Sequence, residues 1–118
     1  IVLCDRFLDS TVVYQGYGNG VDIKMIQQIG QFATRGISPD LTLLFDISPE
    51  EAEKRRALSR NPDKFEALNF DFFNRVRAEY LRRVKEDPMR FEVIDASQSI
   101  KNIQKVIGHI ATKIESLI

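Results

Sequence analysis

The 118-residue chain has one cysteine, no tryptophan and no net charge, and each scarcity removes a class of explanation. A lone Cys4 excludes an internal disulfide framework and fits a reducing compartment. Following the apolar run of residues 1–3, it reads as a small hydrophobe at a buried strand end rather than as a nucleophile. Seventeen basic and seventeen acidic side chains cancel, so no net field recruits nucleic acid or an anionic membrane. Neither is expected as a partner. No apolar run approaches the roughly 20 residues that a membrane-spanning helix needs, and no signal peptide is visible. The expected location is the cytoplasm. None of the six glycines is followed by lysine, so the chain holds no G-x-x-x-x-G-K-[ST] phosphate loop. It also opens inside an apolar strand pattern without an initiator Met, which leads us to expect the C-terminal part of a longer protein. What is present, 43% hydrophobic and 29% charged residues, suits a core with a polar surface.

The richest stretch is the first fifteen residues, IVLCDRFLDSTVVYQ. Residues 1–3 predict a short buried strand, and Asp5 and Arg6 follow where that strand ends. In open α/β sheets, ligands bind in the crevice outside the carboxyl ends of the strands. The planar fork of Arg6 suits phosphate, and Asp5 can hold a Mg²⁺-bound water. A surface ion pair is the competing reading of that dipeptide. Ser10, Thr11, Tyr14 and Gln15 then fall along one side of a helix predicted over residues 9–16. They offer hydroxyls, an amide and a ring, the groups that bind and stack a planar nucleobase. Helix capping by Ser10 and core packing by Tyr14 are the plainer alternatives.

Further along, the glycines of GYGNG (residues 16–20) predict a chain reversal made through positive φ angles. Asp22 predicts an N-cap for a helix to about Thr34, with Ile26, Ile29 and Ala33 on one stripe and Phe32 beside it. Its Gln27, Gln28 and Gln31 side is compatible with solvent or a subunit interface. Gly36 and Pro39 end that helix. LTLLFDI (residues 41–47) predicts a strand buried on both faces, as in a parallel sheet. Ser48 and Pro49 start the next helix. A long amphipathic helix is predicted over residues 69–86, with Phe73, Val76, Tyr80, Leu81 and Val84 as its stripe and Arg75, Arg77, Arg82 and Arg83 on the remainder. A strand over residues 91–94 and a helix capped by Ser99 complete the chain, the latter striped by Ile103, Ile107, Ile110, Ile114 and Leu117. Alternating strands and helices argue for an α/β fold with a parallel sheet.

The second chemical feature is KRRALSRNPDKFE (residues 54–66). Charge runs are commonly solvated helix ends, where cations face the negative pole of the helix dipole. The alternative is a lid whose arginines close over a polyphosphate and exclude water.

The string DRFLDSTVVYQGYG resembles the signature of the thymidylate kinase family, Asp-Arg-aromatic followed by Asp-Ser-Ser/Thr-x-x-Tyr-Gln-Gly. The similarity continues through FATRGISPDLTLLFDISPEEAEKR (residues 32–55), PDKFE (residues 62–66) and IDASQSI (residues 94–100), in the family's order and over nearly the whole chain. The resemblance implies a three-layer P-loop NTPase-type parallel sheet with flanking helices. Residues 1–118 would be the C-terminal part of one nucleoside monophosphate kinase domain, with a lid at about residues 55–67. It implies transfer of the γ-phosphoryl group of ATP to dTMP, with Mg²⁺, in a homodimer. By resemblance, Asp5, Arg6, Arg56 and Arg60 are catalytic, with Asp5 toward the metal through water. Arg6, Ser10, Thr11, Tyr14, Gln15, Phe65 and Glu66 face dTMP. Arg55, Lys64, Ala96 and Ser97 face ATP, with Lys64 standing where many relatives carry Arg. Without a phosphate loop the isolated 118 residues are expected to be inactive. Two other readings stay open: another P-loop nucleoside or nucleotide kinase, and a non-catalytic nucleotide-binding or dimerisation module.

Overall fold

Local capping sets most of the helix starts. Asp22 accepts from the backbone N–H groups of Lys24 and Met25 at 2.9 and 3.4 Å. Ser48 Oγ accepts from Glu51 N, and Ser99 Oγ from Asn102 N, each at 3.2 Å. Such side chains satisfy donors that the first helical turn leaves orphaned. The computed structural model describes residues 1–58 and 70–118. Arg60, Lys64, Phe65 and Glu66, with most of the expected lid, lie outside the described residues.

The chain forms α1 (Leu8–Thr11), which runs directly into a π-helical stretch (Val12–Gly18), then α2 (Ile23–Thr34) and β1 (Thr42–Asp46). These are followed by α3 (Pro49–Ala57), α4 (Phe70–Glu86), β2 (Phe91–Asp95) and α5 (Ile100–Leu117). β1 and β2 pair in parallel, with Thr42 opposite Phe91 and Asp46 opposite Asp95. The parallel α/β arrangement expected from the order of elements is present as a two-stranded sheet among the described residues. No helix among them is long and apolar enough to cross a membrane.

Several expectations are corrected. Residues 1–3 form no strand and are 88, 92 and 94% exposed. A strand exists through its ladder of cross-strand bonds, and residues 1–3 pair with neither β1 nor β2. Cys4, expected at a buried strand end, is exposed as a result. β1 is half-buried rather than covered on both faces, and Phe45 is exposed. The helix expected over residues 9–16 starts one residue earlier and continues to Gly18 with a wider turn. Its C-terminal bond from Asn19 N to Tyr14 O spans five residues at 3.0 Å. Of the glycines at 16, 18 and 20, only Gly20 has positive φ, while Gly16 and Gly18 are buried within the π-helical stretch. The α2 stripe is also mostly open: Ile26 is buried, but Ile29, Phe32 and Ala33 are exposed. In α5, Ile110 is buried and Leu117 is exposed.

The core gathers Val12 and Val13 of the π-helical stretch, Ile26, Val76 of α4, and Phe91 and Ile94 of β2. Beside it lies a buried carboxylate, Asp9. Arg83 Nε donates to Asp9 Oδ1 at 2.9 Å, and Arg90 donates to Asp9 Oδ2 and Oδ1 at 2.7 and 3.1 Å. Burial pushes the Asp9 carboxyl up, but the bonds from Arg90 and Arg83 outweigh it and hold the pKa below the usual 3.8. Replacing Asp9 by Asn leaves two guanidinium groups short of their counter-charge. The expected loss is about 2 kcal/mol, under the roughly 3–5 for fully buried pairs because both arginines keep some solvent contact. Because the folded pKa is depressed, the stabilisation is complete above pH 3.8 and disappears as the pH falls through the folded value. Urea titrations of wild type and Asp9→Asn between pH 7 and 2.5 should therefore show a gap that is constant at first and closes below about pH 4.

Candidate active site

Asp5 and Arg6 sit on the exposed segment that leads into α1. Arg6 takes a left-handed backbone conformation, with φ of 62°, which is uncommon and strained for a residue with a Cβ. The guanidinium carbon of Arg6 lies 4.9 Å from the centre of the Tyr14 ring, within cation–π range. Tyr14 is flanked in turn by Phe72 at 6.0 Å, tilted, and by Tyr80 at 6.4 Å, edge-on. Ser10, Thr11, Tyr14 and Gln15, expected along one side of the helix, differ in exposure. Ser10 is buried, whereas Thr11 and Gln15 are exposed. α4 packs against the π-helical stretch, its Phe72 and Tyr80 meeting Tyr14 and its Arg75 bonding Gly18. Burial raises the Tyr80 phenol above its ordinary value.

The carboxyl ends of the two strands build a second part of the site. Asp46 and Asp95 end their strands in register, and a polar cavity of about 530 Å³ opens there, bordered by Ser48, Glu51, Arg77 and Ser97. Arg77 holds Asp46 through two bonds, Nε to Oδ1 at 2.8 Å and Nη2 to Oδ2 at 3.1 Å. The hydrogen bond to Asp46 raises the Arg77 pKa. Asp95 accepts from Ser97 Oγ at 2.6 Å and from Ser97 N at 2.9 Å. Those bonds, with the charge of Arg55 behind them, hold its carboxyl below the usual range. Arg55 Nη2 reaches the carbonyl of Gln98 at 3.5 Å. Arg55, distant in sequence, thus reaches the turn after β2 that carries Ala96, Ser97 and Gln98.

A smaller cavity of about 320 Å³ is lined by Tyr14, Arg56, Phe73 and Tyr80, and shares Asp46 and Arg77 with the first. The guanidinium carbon of Arg56 lies 5.7 Å from the Phe73 ring centre. Arg56 and Tyr14 are therefore brought to one cavity, and Arg6 joins them through the Tyr14 ring. Asp46, Asp95 and Arg77 were not singled out from sequence. The two aspartates carried a usable signal, since each is the last residue of a strand. The inward reach of Arg77 from α4 carried none.

The family model for thymidylate kinase matches residues 1–107. The chain belongs to the thymidylate kinase family. It is 50% identical over 104 residues to a thymidylate kinase of Paraburkholderia phytofirmans, covering 88% of this chain and 50% of that protein. To the thymidylate kinase of Paraburkholderia xenovorans it is 49% identical, with the same coverage. To that of Cupriavidus metallidurans it is 49% identical over 109 residues, or 92% of this chain and 54% of the relative. The chain thus spans about half the length of the curated relatives it matches. Membership brings the P-loop NTPase fold, of which the described α/β arrangement shows two strands and the helices around them.

The bonds around Asp95 can be tested without any ligand. Replacing Ser97 by Ala removes the hydroxyl donor and keeps the backbone one. The Asp95 pKa should rise toward 3.8, the ordinary value, and carboxyl-detected NMR titration would read the change directly.

Proposed function

We propose that the protein is a thymidylate kinase, transferring the γ-phosphoryl group of ATP to the 5′-phosphate of dTMP. The observation that carries this reading is Arg6 poised over Tyr14 at the head of a chain that belongs to this family. In the transfer, an oxygen of the dTMP phosphate attacks the γ-phosphorus. The bond from that phosphorus to the β–γ bridging oxygen breaks, and its electron pair leaves with ADP. The acceptor is already anionic, so no strong base is required. What the protein supplies is positioning and charge neutralisation.

Arg6 holds the acceptor phosphate, and Arg56 faces the transferring group from the neighbouring cavity, as would Arg60. Thr11 and Gln15, both exposed, bond the thymine edge. Tyr14 lies against the deoxyribose, where a 2′-hydroxyl would collide. Ser10, Phe65 and Glu66 complete the dTMP side. Arg55, Ala96 and Ser97 border the adenine, with Lys64 on the same side. Among the described residues no group of three or more His, Cys, Asp or Glu side chains gathers as for a protein-bound metal. A single exposed Asp5 fits a hard cation that keeps several waters and takes its other ligands from substrate phosphates. Asp5 would hold such a Mg²⁺-bound water, and Mg²⁺ when bound would neutralise phosphate charge.

The complete sheet in this reading is a three-layer P-loop NTPase sheet in one nucleoside monophosphate kinase domain, with its lid at about residues 55–67 and a phosphate loop supplied outside these residues. The protein is cytoplasmic and a homodimer. The open apolar face of α2, with Met25, Ile29 and Phe32 exposed, supports self-association.

ADP release by the complete gene product, with ATP, Mg²⁺ and a panel of nucleoside monophosphates, tests the reading. Turnover should be highest with dTMP, weaker with dUMP by about 10- to 200-fold for the lost methyl, and lower still with purines. A preference for a purine or for an unphosphorylated nucleoside would assign a different kinase. No turnover with any acceptor would favour a non-catalytic module. Arg6→Ala should lower kcat/KM about 10²- to 10³-fold. Since Arg6 is exposed, its loss should alter stability by no more than about 1 kcal/mol.

A further inference from the structure

Arg6 is a long, exposed side chain, and its placement depends on what it rests against. That support is the Tyr14 ring, and the groups that fix the ring come from α4. Phe72 and Tyr80 meet Tyr14 from two directions at 6.0 and 6.4 Å. Phe73 extends the cluster, its ring edge-on to Phe72 at 5.4 Å.

The approach of α4 is itself built in. A Cβ on Gly18 would lie 2.5 Å from Phe72 Cε2, so no larger residue fits there while the ring keeps its place. Arg75 Nη2 donates to the Gly18 carbonyl at 3.2 Å and fastens α4 to the π-helical stretch. Tyr80 meets the Tyr14 ring edge-on from two turns further along α4 than Phe72. Aromatic edges meeting the ring and a cation on it are directional contacts, so a tilt of Tyr14 carries the guanidinium with it.

We propose that Tyr80, together with Phe72, is a positioning residue for Arg6, acting through the Tyr14 ring. The inference rests on the reading of Arg6 as the group that holds the acceptor phosphate. Neither Tyr80 nor Phe72 needs to touch substrate. Their contribution is to restrict where the Arg6 fork points before the acceptor arrives, and displacements of about 1 Å at such a group can cost about 100-fold in rate.

A double-mutant cycle on the complete gene product separates this role from a merely structural one. Tyr80→Leu should lower kcat/KM for dTMP about tenfold, as a partial misplacement. In an Arg6→Ala background the same change should cost less than about twofold, because the group it positions is gone. Tyr80→Phe keeps the ring edge and should stay within about twofold of wild type. Full multiplication of the two losses would overturn the proposal, as would a Tyr80→Phe enzyme as impaired as Tyr80→Leu. If Tyr80→Leu fails to fold, Phe72→Leu runs the same cycle, with the same non-additivity expected and the same additive result decisive against it. A wild type without dTMP-dependent turnover would overturn the functional reading and this inference with it, whereas an active wild type with an additive cycle removes the inference alone.

Discussion

One buried carboxylate holds the opening of this chain to everything that follows. Asp9 lies on α1, while its partners Arg83 and Arg90 come from the last turns of α4 and the turn before β2. Arg90 also donates to Thr42 Oγ1 at 3.2 Å, and its carbonyl accepts from Thr42 N at 2.8 Å. Its guanidinium stands 4.4 Å from the Phe91 ring centre. A single charge network therefore fixes α1, α4 and the start of both strands. Apolar side chains of similar volume could match its stability, since desolvation consumes much of what a buried ion pair gains. They would not match its directionality. Forked guanidinium bonds to a carboxylate permit one arrangement of the elements, and the π-helical stretch that continues α1, including Tyr14, inherits that arrangement.

The parts of the fold legible in the sequence are those decided by neighbours in the chain. Asp22, Ser48 and Ser99 were readable as caps because a cap bonds donors two or three residues away. β2 and the start of α3 were readable for similar reasons. The parts that were not legible depend on distant partners. Read as a polar surface, the arginines of α4 turn out to be engaged: Arg77 with Asp46, 31 residues away, and Arg83 with Asp9, 74 residues away. Arg82 is paired with a buried Glu79 and with Glu86. Periodicity places such residues on a face but says nothing of what that face meets. The same holds for Gly16 and Gly18. Their composition suggested a chain reversal through positive φ, whereas their use is close packing inside a widened helical turn, a feature with no simple sequence signature.

The site divides along the same line. Asp5, Arg6, Thr11, Gln15 and Arg55 are exposed, and their residue types are the ones phosphate and base recognition demands, so the string that contains them could be read chemically. Tyr80, Phe72 and Arg77 reach Tyr14 and Asp46 from α4 and resemble ordinary members of an amphipathic helix. Only the fold shows which of them face Tyr14 and the strand ends.

Arg77 illustrates why such support matters for function. Parallel strands in register bring Asp46 and Asp95 side by side at the carboxyl end of the sheet, the place where ligands of open α/β sheets collect. Two unscreened carboxylates there would repel one another and any anionic ligand. Asp95 is stabilised by donors from its own loop, but Asp46 faces the cavities that both lie along Arg77. By covering Asp46 with a bidentate cation, α4 removes one negative charge from the wall between them. The helix that braces Tyr14 against Arg6 is thus also the one that moderates the charge at the strand ends. A change in its packing would be felt at both cavities, even though no residue of α4 was chosen from the sequence as a site residue.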